Sequence, residues 1–174
     1  MLYPKKHRHH FSCYLMPRNI IVSVLLPNIP IYMSYCNVAW ASTCHTRLTI
    51  LTTLQTRAIR IVCNVPFRAH TKPLFKDLNI LPFDCINKLQ IGIFMYKLNS
   101  NLMVASFGHW FCKNLEVHDH YTRSANKYHQ ESVRTTTRQH TIRIKGPLFW
   151  NSLPTDLTSV STMYQFKCKL PTRH

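Results

Sequence analysis

The chain has 174 residues, 45% of them apolar, and sets 22 Lys and Arg against 6 Asp and Glu, a formal net charge of +16 with its 11 His taken as neutral. That length suits one domain or two small ones, and the apolar share permits a core. The charge points to a polyanionic partner, nucleic acid foremost, because a duplex carries one phosphate charge per about 1.7 Å of axis.

Residues 1–19 lack apolar periodicity and are rich in histidine, which predicts an irregular start. Lys5, Lys6 and Arg8 precede the apolar stretch Ile20–Met33 in the layout of a signal peptide. Asn19, Pro27, Asn28 and Pro30 interrupt that stretch, no small-residue cleavage site follows, and it is too short to span a bilayer. It reads as buried helix, with Pro27 and Pro30 kinking or dividing the segment that runs to Trp40. Thr46–Asn64 is the clearest amphipathic helix. Leu48, Leu51, Leu54, Ala58, Ile61 and Val62 recur there at three- and four-residue steps, with Arg47, Gln55, Thr56 and Arg60 largely off the stripe. Thr46 is placed to cap its start, and Asn64 with Pro66 marks its stop. Thr71 opens a short helix, Lys72–Leu78, with Pro73 early. Asp84–Leu98 predicts a longer helix that buries Ile86, Leu89, Ile93 and Tyr96, and Met103–Phe111 a short helical piece.

Beyond Lys113 the apolar periodicity fades and Thr, Arg, His and Asn dominate. Val133–Thr137 and Thr141–Lys145 are rich in β-branched residues, the second with alternation, and predict a small β-hairpin that Gly146-Pro147 ends. Leu148–Leu153 reads as a helical turn that carries Phe149 and Trp150 into the core, and Thr162–Leu170 as a final helix. The expected fold is mainly α. An irregular 1–19 leads into a helical region over 20–112, and a small basic α+β unit with a β-hairpin follows over 113–174.

Nothing in the sequence supplies chemistry. Nucleotidyl transfer needs carboxylates that hold two metal ions, whereas Asp77, Asp84, Asp119 and Asp156 stand singly and far apart. Cys112, His118 and His120 are the best candidate zinc ligands, but they lack the paired short spacings of structural zinc sites. The 7 cysteines are odd in number and form no CxxC pair, which favours reduced thiols in a nuclear or cytoplasmic setting over a disulfide framework. No catalytic residue and no resident metal or cofactor is assigned. What remains is a basic strip, Arg123, Lys127, Arg134, Arg138, Arg143 and Lys145, interleaved with Tyr121, Tyr128, His129 and His140 and opposed only by Glu131. Cations hold phosphates while flat side chains stack on unpaired bases. Arg57 and Arg60 on the amphipathic helix add a second candidate contact line. Trp40, Trp110 and Trp150 read as core anchors. No clean basic amphipathic helix argues for a membrane surface.

Five blocks recur in a suggestive order: Tyr35-Cys36-Asn37-Val38-Ala39-Trp40-Ala41-Ser42, Arg57-Ala58-Ile59-Arg60-Ile61-Val62-Cys63-Asn64, Lys88-Leu89-Gln90-Ile91-Gly92-Ile93-Phe94-Met95-Tyr96, His118-Asp119-His120-Tyr121-Thr122-Arg123 and Gly146-Pro147-Leu148-Phe149-Trp150-Asn151-Ser152-Leu153-Pro154. Together they resemble the region after the palm in the reverse transcriptases of LINE-type, jockey-like retrotransposons, over roughly residues 14–170. The resemblance implies a helical thumb from about Met33 to Asn64, then an extension that grips RNA. It implies RNA or RNA–DNA hybrid as partner, and also the polymerase palm. The palm aspartates and their Mg have no matching positions here. Two alternatives stand beside it: an inert fragment that does not fold stably, and a metal module built on Cys112, His118 and His120.

Overall fold

The structure is a computed structural model that describes residues 26–118 and 122–170. The irregular start expected over 1–19 lies outside the described residues, as do Asp119, His120 and Tyr121. The described chain is mainly helical, as expected, and its order follows from where the apolar side chains find cover.

Helix α1 (Leu26–Ser34) carries Pro30 within it. Pro30 removes one backbone bond there without ending the helix. The expected break therefore comes later, at Cys36, whose φ of 48° is left-handed. There the Trp40 indole donates to the Tyr35 carbonyl at 2.7 Å, and α2 (Asn37–Trp40) restarts the helix.

Helix α3 (His45–Cys63) matches the expected amphipathic helix closely. Asn64 ends it in a left-handed conformation, φ 51°, with its N–H on the Arg60 and Ile61 carbonyls. Its start differs: Cys44, not Thr46, is the capping residue, without a side-chain bond. The buried face is Leu48, Gln55, Ile59 and Val62, a stripe rotated from the expected one, so Leu54 and Ile61 are exposed.

Gln55 explains the rotation. At only 2% exposure, its amide donates to the Leu81 carbonyl (2.9 Å) and accepts from the Phe83 N–H (2.8 Å). Both ends of a buried primary amide are thereby satisfied, which removes the cost of burying it. The clamp fixes the chain where it turns from α4 (Lys72–Asp77) into α5 (Phe83–Asn99).

Helix α5 is the hub. It packs against α1, α2, α3, α8 (Ile142–Ser152) and α10 (Met163–Lys169). Phe83, Ile86, Ile91, Gly92, Met95, Tyr96 and Leu98 are buried on it, a wider set than the expected stripe, because a helix covered on several sides needs apolar residues on several sides. Two glycines set the crossings. A Cβ on Gly92 would sit 2.8 Å from Leu170 Cδ2 and 3.2 Å from Phe166 Cε1, and one on Gly146 only 2.7 Å from Met95 Sδ. At Gly92, where the Phe166 and Phe149 rings also close in, forcing a methyl costs about 1–3 kcal/mol in a packed core, whereas at Gly146 the flexible Met95 side chain can shift.

The largest apolar cluster joins Met95, Tyr96 and Leu98 of α5 to Phe111, Tyr128, Trp150, Leu157, Phe166 and Leu170. It draws on both sides of the boundary expected near Lys113. Of the three expected anchors only Trp150 is buried, its ring 5.8 Å from Phe166; Trp40 stacks on Phe83 at 5.7 Å but is exposed on its other side, and Trp110 is half exposed. Met103–Phe111 contains a 3-10 turn, Ala105–Trp110.

The β-hairpin expected over Val133–Lys145 is absent. Thr136–Gln139 forms α7, and Thr141 leads directly into α8. Ile144, Pro147 and Trp150 are all buried, and this three-residue step extends past Lys145, outweighing the two-residue alternation that suggested a strand. Gly146-Pro147 accordingly lies inside a helix and does not end a strand. Among the described residues the β-type pairing is an isolated antiparallel bridge, Lys113 to Tyr128. Two further short helices, α6 (Asn114–Val117) and α9 (Thr155–Thr158), complete the chain.

Replacing Gln55 by Leu leaves the Leu81 carbonyl and the Phe83 N–H buried and unpaired. The expected loss is about 2–4 kcal/mol, measured by urea denaturation of the purified protein. A loss below about half a kcal/mol would mean that water reaches both groups.

Candidate nucleic-acid interface

The basic strip divides into two kinds of cation. Arg138 and Arg143 both close on Glu131, the former at 3.2 Å, and Glu131 is the one acid within the strip. Arg143 Nε, buried, has no partner, so this arginine is positioned by its pairing and not by a full set of bonds. Lys145 reaches across the fold to donate to the Thr43 carbonyl at 3.3 Å. Burial pushes its pKa down, with the Cys44 thiol pulling the other way. Arg60 lies over the Phe67 ring at 5.4 Å and donates to the Ala69 carbonyl, so it secures the turn after α3. These four cations are engaged within the protein, Arg60, Arg143 and Lys145 partly buried and Arg138 still exposed.

Arg123, Lys127 and Arg134 are exposed and make no ion pair or side-chain hydrogen bond among the described residues. So is Arg57, on α3. The first three fall in the loop segment between α6 and α7, where the chain has little regular structure.

What organises that segment is a side-chain amide. Asn151, on α8, donates to the Tyr128 carbonyl at 2.8 Å and accepts from the Tyr128 N–H at 3.1 Å, so it stands in for a neighbouring strand. On the other edge, the His129 N–H donates to the Cys112 carbonyl at 2.8 Å and the Asn114 N–H to the Lys127 carbonyl at 2.9 Å. Tyr128 is thus held between α8 and residues 112–114. Its hydroxyl reaches Asn99 at the end of α5, at 3.4 Å. Burial, with a smaller contribution from the Glu116 charge, pushes its pKa from the usual 10.0 to about 12.

An open groove of about 760 Å³ lies beside this bridge. Asn114, His118 and His129 line it together with Thr122, Ser124 and Lys127, and α8 contributes Leu148, Asn151 and Ser152. The His118 and His129 rings stand 5.9 Å apart with planes at 71°. The Asn114 amide donates to the Ser124 carbonyl at 2.9 Å, so its oxygen faces His129 Nδ1 at 3.3 Å. That assignment makes His129 Nδ1 the donor and leaves Nε2 as the ring's acceptor. The sequence singled out Lys127, Tyr128 and His129 here. It missed Asn114, Ser124, Leu148 and Asn151, whose roles come from chain pairing that no local pattern encodes.

Among the described residues, no group of three or more His, Cys, Asp or Glu is placed to hold a metal ion. Cys112 is exposed, and His120 of the candidate zinc set lies outside the described residues. Cys44, at the start of α3, has its thiol pKa lowered chiefly by the Arg47 N–H, whereas burial raises that of Cys85. No described helix is long and apolar enough to cross a membrane. Comparison with protein-family models, curated proteins and solved structures finds no match.

A raised tyrosine pKa means that the folded state keeps the Tyr128 proton more tightly than the unfolded chain does. That stabilisation is full below pH 10.0, the unfolded value, and is lost as pH rises through about 12. Wild type is therefore expected to lose urea resistance over this window faster than Tyr128→Phe. Parallel decline of the two proteins would show that Tyr128 is solvated.

Proposed function

We propose that the chain is a nucleic-acid-binding fragment, derived from the region after the palm of a LINE-type reverse transcriptase, and that its partner is RNA or an RNA–DNA hybrid. The observation that carries this reading is the separation of the cations. Glu131, Thr43 and Ala69 occupy Arg138, Arg143, Lys145 and Arg60, yet Arg123, Lys127 and Arg134 remain exposed on a segment anchored to the core through Asn151. Exposed cations on an anchored backbone suit phosphate contacts, since neither side-chain pairing nor chain ordering has to be undone on binding. The ordered blocks quoted above supply the family reading. Polymerisation would belong to the palm, which in this reading packs elsewhere on the chain.

The apolar side chains exposed on α1 and α3, Ile31, Tyr32, Ile50, Leu54 and Ile61, are compatible with such a packing surface. They also favour a second reading, an inert fragment that is not stable alone. A broad, uncooperative melt of the purified chain would support that second reading.

Binding to single-stranded RNA is expected to fall with salt, each phosphate contact adding about 0.7 to the slope of log affinity against log salt. Replacing Arg123, Lys127 and Arg134 together by Ala should lower that slope by about 2. The Arg138→Ala, Arg143→Ala pair should leave it near the wild-type value. A filter-binding titration in which the two sets change the slope equally would contradict this division of the strip.

A further inference from the structure

We infer that the groove beside Tyr128 is the seat of one unpaired nucleotide of an RNA strand, so that this chain distinguishes single-stranded RNA from a hybrid duplex. The inference rests on the nucleic-acid reading above and adds a site and a selectivity to it. Its basis is the concavity and its lining. At about 760 Å³ the groove falls within the usual range for ligand sites, about 300–1,000 Å³. It has room for a base with its sugar and phosphate, but a double helix can only rest across its rim.

The lining fits the three parts of a nucleotide. Lys127, exposed and without an ion pair among the described residues, offers a cation to the phosphate. Thr122 and Ser124 place their hydroxyls 3.3 Å apart in the same groove, and such groups commonly bind phosphate and sugar oxygens. The base meets a flat and an apolar surface. Leu148 is half exposed into solvent although it belongs to a helix whose other face is core. The His118 and His129 planes, 71° apart, allow a base to lie on one ring while the other presents its edge.

His129 adds a directional element. Because Asn114 fixes Nδ1 as donor, Nε2 accepts, and a ribose hydroxyl or the N3–H of an unpaired uracil can donate to it. In a paired strand the base faces are stacked on their neighbours and the Watson–Crick edges are occupied by the complementary strand, so Leu148 and the imidazole faces would find no base to receive. Unpaired bases are the usual objects of base-specific RNA recognition, through stacking on flat side chains and bonding at free edges. A bare phosphate would leave Leu148 and the imidazole faces unused.

The test compares two ligands, a single-stranded oligouridylate of about eight nucleotides and a blunt RNA–DNA hybrid of the same length, by fluorescence anisotropy. The variants are His118→Ala with Leu148→Ala, both at exposed positions, and Arg134→Ala outside the groove. The groove pair is expected to weaken single-strand binding about tenfold and to leave hybrid binding unchanged. Arg134→Ala should weaken both ligands alike. Equal losses on the two ligands for the groove pair, or no loss at all, would overturn the groove while leaving the basic surface in place. Displacement of the strand by equimolar uridine monophosphate would assign the groove to free nucleotides and overturn the strand reading. Failure of wild type to bind either ligand would overturn both readings.

Discussion

The described part of the chain past residue 112 is seated on α5 through the close approach of α8 and α10. Gly146 lets α8 lie against Met95, and Gly92 lets α5 receive Leu170 and Phe166. Helical glycine costs about 1 kcal/mol relative to alanine, so its use at both crossings is repaid through packing. Once α8 is seated, Trp150 enters the core beside Phe166, and Asn151, the next residue, meets the Tyr128 backbone. The groove is therefore a consequence of a helix crossing: α8 supplies one wall, and the loop that supplies most of the rest is positioned from the core.

Two amides do the same work in different places. Gln55 holds Leu81 and Phe83, and Asn151 holds both backbone groups of Tyr128. In each case one polar side chain on a helix satisfies a backbone donor and a backbone acceptor of an irregular segment. A nearly all-helical protein has few other ways to fix irregular segments, because an unpaired buried backbone group is costly. The same economy extends to four of the cations. Arg60 and Lys145 are used as donors to loop carbonyls, and Arg138 and Arg143 close on Glu131.

The helices were legible in the sequence wherever a three- and four-residue apolar step ran for several turns. α3 and α5 were found within a residue or two at each end, since Asn64 and the Asp84–Leu98 pattern act locally. Their buried faces were less legible. Gln55 is polar, and only its pairing with a loop more than twenty residues away makes it a core residue. The hairpin failed because Ile142 and Ile144 alternate like a strand while Ile144, Pro147 and Trp150 repeat like a helix, and the longer pattern prevailed. The basic strip was legible as composition and not as function. Which cations stay exposed depends on Glu131 reaching two arginines and on Thr43, about a hundred residues away, receiving Lys145.

The most direct test of this account is native-state hydrogen exchange resolved by residue. If α8 positions the groove from the core, the Tyr128 and His129 amides, bonded to Asn151 and Cys112, should open only with α5 and α8, at the free energy of global unfolding. Exchange of those two amides at a free energy well below that of Met95 and Tyr96 would contradict it, because the bridge would then open as a loop while the core stayed closed.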